Sequence, residues 1–157
     1  MLGEIVVTAY RALGALHGDA AYEAELRDVE RRAREAVVLA AIDGVTGTPI
    51  GCATYVPGPD NPWAELLEPG EAGVRMLAVD PAAQGRGAGT ALARACVERA
   101  RAEGKRRVLL HSLPIMTGAQ RIYARLGFRR DEPRDWEPVP GIVLMAFALD
   151  LGGALPG

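Results

Sequence analysis

The chain has 157 residues, 49% hydrophobic and 24% charged, with a formal net charge of −2. That length suits one domain spanning 1–157, and a chain of about 150 residues buries roughly 70% of its unfolded surface without a disulfide or metal staple. The balanced charge and apolar content exclude a disordered chain, and 18 Lys+Arg against 20 Asp+Glu leave no basic field for nucleic acid.

Cys52 and Cys96 have neither zinc spacing nor a C-x-x-C pattern. Both sit in apolar runs, where free Cys behaves as a small hydrophobe in a reducing compartment. No stretch approaches the ~20 apolar residues of a membrane span. Met1 to Tyr10 holds Glu4 and no basic residue, unlike a signal peptide. The expectation is a cytoplasmic protein that engages no membrane and holds no metal.

In chain order, Ile5, Ala9, Ala12, Leu13 and Leu16 fall at helical spacing, which predicts a helix over Leu2–Leu16 stopped by His17-Gly18. Asp19 is placed to cap a second helix, with Tyr22, Leu26, Val29 and Ala33 on one face. Ala36 to Ile42 and Pro49 to Val56 read as a hairpin across the turn cluster 43–48. Pro57 to Gly70 is a long acidic loop with room for one helical turn at Trp63–Leu67. Loops of this length are usually functional.

Gly73 to Val79 is a third strand, Ala88 to Glu103 a strong helix former closed by Gly104, and Arg107 to Ser112 a fourth strand. This is a βαβ unit, whose crossover is right-handed. Thr117 to Leu126 is a short helix closed by Gly127, after which Phe128-Arg129-Arg130 resumes extended structure. Asp131 to Gly141 reads as a Pro-rich loop, Ile142 to Leu149 as the last strand, and Gly152 to Gly157 as a frayed tail. The sum is a mixed α/β sheet with helices on both faces.

Gln84-Gly85-Arg86-Gly87-Ala88-Gly89-Thr90 joins the third strand to its helix. Its glycines permit positive φ and close backbone approach, and its amides point out of a helix N-terminus. That is either a plain glycine turn or a phosphate site with Arg86 as an added cation. A Walker loop needs Gly-Lys-Ser/Thr, and a Rossmann fingerprint needs Gly where Leu92 stands; both fail here.

The stretch from Met76 to Gly89 resembles the acetyl-CoA motif of the GNAT superfamily of N-acetyltransferases. Gln84, Gly87 and Gly89 occupy the fixed places of its Q/R-x-x-G-x-G/A pattern. Downstream, Ala119-Gln120-Arg121-Ile122-Tyr123-Ala124-Arg125-Leu126-Gly127-Phe128 is similar to the family's A-x-x-L/I-Y-x-x-x-G-F. Together they mark a cofactor-binding core at about 73–128. The resemblance implies a mostly antiparallel sheet with one splayed parallel pair and acetyl-CoA as co-substrate. It places the pantetheine arm along Leu77 and Val79 and the diphosphate on the amides of Gly85 to Thr90. An amine enters from the other side of the sheet and attacks the thioester directly in a ternary complex.

The resemblance also implies roles. Tyr123 is read as the acid that protonates the leaving thiolate, against a core aromatic as the plain alternative. Glu71 is the candidate base, with His111 or water as alternatives. Acidic and aromatic residues on two loops (Asp60, Trp63, Glu65 and Glu68; Asp131, Glu132, Asp135, Trp136 and Glu137) suit a cationic amine. Two departures stand out. The family's opening strand has no counterpart, which leaves Val37–Ile42 as a sheet edge to be covered by a homodimer or the N-terminal segment. Met116 also stands where the family often has Asn. The rival reading is a GNAT-like scaffold that binds acyl-CoA without turnover.

Overall fold

The computed structural model describes residues 1–16 and 18–152. Helix α1 (Leu2–Ala12) buries Ile5, Val6, Ala9 and Tyr10 on one side. It ends earlier than the apolar spacing predicts. Gly14, at φ 72°, sits just past the last turn; its amide bonds Arg11 O at 3.0 Å and the Ala15 amide bonds Tyr10 O at 2.9 Å. This left-handed glycine stop wins over the spacing of Leu13 and Leu16.

The expected single helix after Asp19 is two helices, α2 (Ala20–Arg27) and α3 (Val29–Glu35). Asp19 caps the first through the Tyr22 amide, and Asp28 breaks the run to cap the second through the Arg31 amide. Buried Arg32 ties the break together by donating to the carbonyls of Glu25 and Leu26 at 2.6 and 2.9 Å.

The hairpin forms as expected from β1 (Val37–Ile42) and β2 (Pro49–Val56). The loop that follows holds turns and no helical turn at Trp63–Leu67; Leu66 there has φ 57°. Next come β3 (Glu71–Val79), α4 (Ala88–Ala102), β4 (Arg107–Ser112), α5 (Thr117–Arg125) and the two-residue β5 (Arg129–Arg130). The stretch expected as a Pro-rich loop contains a strand, β6 (Trp136–Val139), which pairs with β7 (Ile142–Asp150). The tail beyond Gly152 lies outside the described residues.

The sheet order is β1-β2-β3-β4-β7-β5, with β6 paired to β7. Every pairing is antiparallel except β3 with β4. Two cores cover its faces. Tyr55, Val74, Leu92, Cys96, Leu110, Tyr123 and Phe147 meet on the face covered by α4 and α5. Val6, Tyr10, Leu26, Cys52, Trp63 and Met76 meet on the face covered by α1 and α2. Both thiols are buried, and burial pushes Cys52 up to about 11 and Cys96 up to about 12. They are packing residues, as the sequence suggests. Among the described residues, no helix is long and apolar enough to cross a membrane.

Candidate active site

The site begins with an irregularity in β3. Cys52 pairs with Ala78 and Thr54 with Arg75, so three steps on β3 face two on β2. The extra residue is a β-bulge, and Met76 within it has φ 54°. The bulge exchanges the faces of the strand. Before it, Ala72 and Val74 enter the α4 core; after it, Met76 and Ala78 enter the α1 core while Leu77 and Val79 pack on the α4 side.

The same point ends the parallel pairing. β3 and β4 are in register from Glu71↔Arg107 to Val74↔Leu110 and no further. Beyond it, β3 keeps β2 on one edge only. Asp80 donates its amide to Ile50 O at 2.8 Å. Backbone groups alternate sides along a strand, so those of Leu77 and Val79 point away from β2, toward the edge that β4 has left. A slot opens there through the sheet, bordered by backbone hydrogen-bonding groups that have no partner among the described residues.

The glycine loop stands at the end of that edge. A short 3-10 turn, Pro81–Ala83, is capped by the Asp80 side chain on the Ala82 amide at 3.0 Å. Gly85 (φ 82°) and Gly87 (φ 84°) then turn the chain into α4. Gly87 is the N-cap, no side chain caps the helix, and the first helical bond is Ala91 N to Gly87 O. The amides of Ala88, Gly89 and Thr90 therefore lack intrahelical partners at the positive end of a 15-residue helix. A Cβ on Gly87 would meet nothing within 4 Å, whereas one on Gly89 would lie 2.9 Å from Ile122 Cδ1. Gly87 keeps the open side clear, and Gly89 lets α4 pack against α5. Gln84 is exposed. Arg86 is not a free cation: it donates to Asp43 at 2.6 Å, tying the loop to the β1–β2 turn. The amides of Thr46 and Val45, with Arg86, hold the Asp43 carboxyl well below the usual carboxylate range.

On the opposite face, a cavity of about 450 Å³ opens where β3 and β4 part. Tyr10, Leu16, Tyr22, Met76, Met116 and Trp136 belong to its apolar wall, and His111, Asp19 and the Glu65–Arg75 pair supply polar groups. The acidic loops do not converge on it. Only Glu65 and Trp136 of the loop residues named from the sequence line it, and Glu65 is 2.8 Å from Arg75. Glu68 pairs with Arg106 and Asp135 with Arg130, while Trp63 is buried with its indole N–H on Glu35 at 2.7 Å.

Tyr123 lies in the α4 core, 6% exposed, with its ring 5.7 Å from Phe128 and 6.3 Å from Phe147. Its hydroxyl has no hydrogen bond to a described residue, yet it is not one of the sealed, unpartnered polar atoms. Burial pushes its pKa well above the ordinary phenol value, so it stays protonated. Glu71 is placed differently from the sequence reading. It is fully buried at the start of β3, gripped by Arg134 through two 2.7 Å bonds, by Arg107 at 3.3 Å and by the Glu68 amide at 2.9 Å. Burial raises its pKa, but the Arg134 and Glu68 hydrogen bonds and nearby guanidinium charges outweigh that and lower it. Every lone pair of this carboxylate is engaged, so in this geometry it anchors the start of β3. Arg134 is the partner that sequence reasoning missed; it lies 63 residues away, with no local signature.

No curated protein matches the sequence. Among solved structures, a GNAT-family acetyltransferase from Staphylococcus aureus Mu50 superposes with a TM-score of 0.72 at 15% identity, covering 96% of this chain and 91% of that one. A GCN5-related N-acetyltransferase from Kribbella flavida gives 0.65 at 25% identity, covering 95% and 92%. A GNAT-family acetyltransferase from Brucella melitensis in complex with acetyl-CoA gives 0.60 at 22%, covering 99% and 82%. Residues 4–128 match the sequence pattern of the acetyltransferase (GNAT) family, a span that takes in the bulged strand, the glycine loop and Tyr123. The splayed pair and the glycine-turned helix thus belong to a shared architecture, and the chain is a member of the GNAT acetyltransferase family.

Proposed function

We propose that the protein transfers an acetyl group from acetyl-CoA to a primary amine of a small molecule or peptide, by direct attack in a ternary complex. The observation that carries this reading is the slot between β3 and β4, bordered on one side by unpartnered helix amides and opening on the other into an apolar cavity. The amides of Ala88, Gly89 and Thr90, with the turn from Gln84 through Gly85, Arg86 and Gly87, suit a diphosphate in geometry and in charge. The free backbone of Leu77 and Val79 suits the amides of a pantetheine arm, which would lie beside β3 as an added strand.

Acetyl-CoA supplies an activated acyl carbon and a thiolate leaving group. Tyr123 faces the α4 side, keeps its proton and donates it to the departing sulfur. The cavity holds the amine on the α1 side, with mostly apolar walls around its carbon body and Asp19 and Glu65 near its charge. The protein works in the cytoplasm as a two-fold homodimer.

Calorimetry with acetyl-CoA and thiol release with a panel of primary amines test this together. Micromolar binding, on the order of −8 kcal/mol, with amine-dependent release is expected. Binding without release from any amine would leave an acyl-CoA-binding scaffold instead.

A further inference from the structure

We propose that His111 is the general base for the acceptor amine, presenting the lone pair of Nδ1 to the cavity at the point where the sheet opens. The inference rests on the acetyl-transfer reading above. Leu110 is the last residue of β4 paired to β3, and His111 is the next, the first beyond the parting of the strands. Leu110 packs into the core that contains Tyr123, and His111, one residue on, lines the acceptor cavity. The acid and the base thus flank the slot from opposite faces.

The hydrogen bonding fixes which nitrogen is available. His111 Nε2 lies 3.0 Å from the carbonyl oxygen of Arg134. A carbonyl only accepts, so Nε2 carries the proton and the neutral ring has its bare lone pair on Nδ1. Nδ1 has no hydrogen-bond partner among the described residues. Nor is it sealed: the enclosed, unpartnered side-chain atoms are Arg32 Nε and Trp136 Nε1. The carbonyl that sets this tautomer is itself fixed, because the Arg134 side chain grips Glu71 and the carbonyl of Leu66, each at 2.7 Å. Trp136 meets the imidazole edge to face, 6.4 Å between centroids, and holds the ring plane.

The competing bases are occupied in whole or in part. Glu71 is saturated, Glu65 is paired with Arg75, and one Asp19 oxygen holds the Tyr22 amide at the N-terminus of α2. The charged and titratable groups around His111 are Arg134 and Asp135 from the loop before β6, Glu65 and Arg75 across the cavity, and Asp19, Tyr10 and Tyr22 from the helical side.

The proton balance closes. The bound ammonium gives its first proton to Nδ1, and His111 passes it to solvent. The amine nitrogen then forms the N–C bond as the C–S bond breaks. Tyr123 protonates the sulfur and recovers the second proton that the nitrogen sheds on becoming an amide.

The test uses the full chain and two readouts. In a His17→Gln background, which leaves one histidine of the two, nitrogen NMR of the imidazole is expected to report a protonated Nε2 and a bare Nδ1. A protonated Nδ1 in the neutral ring would overturn the proposal. Thiol release with 2-phenylethylamine, a primary amine on an apolar body, is followed from about pH 6 to about pH 10. Wild-type kcat/KM for the amine is expected to level off once the imidazole is neutral. His111→Gln is expected to lose about 10²-fold near neutrality and to climb with the amine's own ionisation, with acetyl-CoA affinity unchanged. Superimposable pH profiles for the two proteins would also overturn it. Failure of the wild type to bind acetyl-CoA would strike the acetyl-transfer reading itself, which separates the two.

Discussion

The phenol of Tyr123 has no hydrogen-bond partner among the described residues, whereas that of Tyr55 in the same core donates to Glu103. Its ring packs on Phe128 and Phe147, contacts that Phe would retain. Tyr123→Phe is therefore expected to lower kcat by about 10²-fold with acetyl-CoA affinity and Tm little changed. Equal kcat would assign Tyr123 to packing alone. Glu71 is the opposite case. Glu71→Ala leaves Arg107 and Arg134 facing an empty, buried position, and stability is expected to fall by about 3 kcal/mol in a denaturant titration. That is the low end for a broken buried pair, because both arginines keep partial access to water. The linkage sign follows from a depressed folded pKa. The Glu71 contribution is present above the unfolded carboxyl value and is lost as pH falls through the folded one. Wild type and Glu71→Ala should therefore differ most near neutrality and converge in acid, read as Tm against pH.

At the scale of elements, α4 carries the cofactor hypothesis through two glycines with different duties. Gly87 sits at positive φ beneath open space, so Gly87→Asp adds backbone strain of about 1 kcal/mol and a negative charge where a diphosphate would bind. Acetyl-CoA affinity is expected to drop at least about tenfold by calorimetry while the fold survives. Near-wild-type affinity would remove the loop from the cofactor site. Gly89 faces Ile122, so a substitution there acts first on the α4–α5 contact.

These glycines were legible in the sequence, as were the hairpin, β4 and the ends of α4 and α5, because punctuation and periodicity there agree. Legibility failed where a short-range device overrode a long pattern. Asp28 lies inside an apolar periodicity yet caps a new helix, and Gly14 stops α1 before its last apolar residues. β6 was hidden by Pro138, which an edge strand tolerates and an interior strand does not. The bulge at Met76 has no residue signature, since a methionine at positive φ is held there only by its surroundings. The surroundings of Glu71 are hidden for a related reason: its position along the strand is readable, but the arginines that engage its lone pairs come from distant segments.

For the whole molecule, β1 stands at one end of the sheet and pairs only with β2 among the described residues. α1, the N-terminal segment, lies instead against β2 and β3. Ile42 and Val45, at the turn of that edge hairpin, are 53% and 94% exposed. An unpaired edge with apolar residues at its turn favours association, and light scattering is expected to give a dimer. A monomer with fast amide exchange along Val37–Ile42 would exclude it. The slot through the sheet has a kinetic consequence. On the proposed reading, the nucleotide donor and the acceptor reach the reacting atoms through separate doors on opposite faces, so neither obstructs the arrival or departure of the other. Addition should be random in order. Free coenzyme A should compete with acetyl-CoA while inhibiting noncompetitively against the amine. A molecule that joins the two substrates through one covalent bond would have to be threaded across the sheet, and should associate slowly however tightly it is finally held.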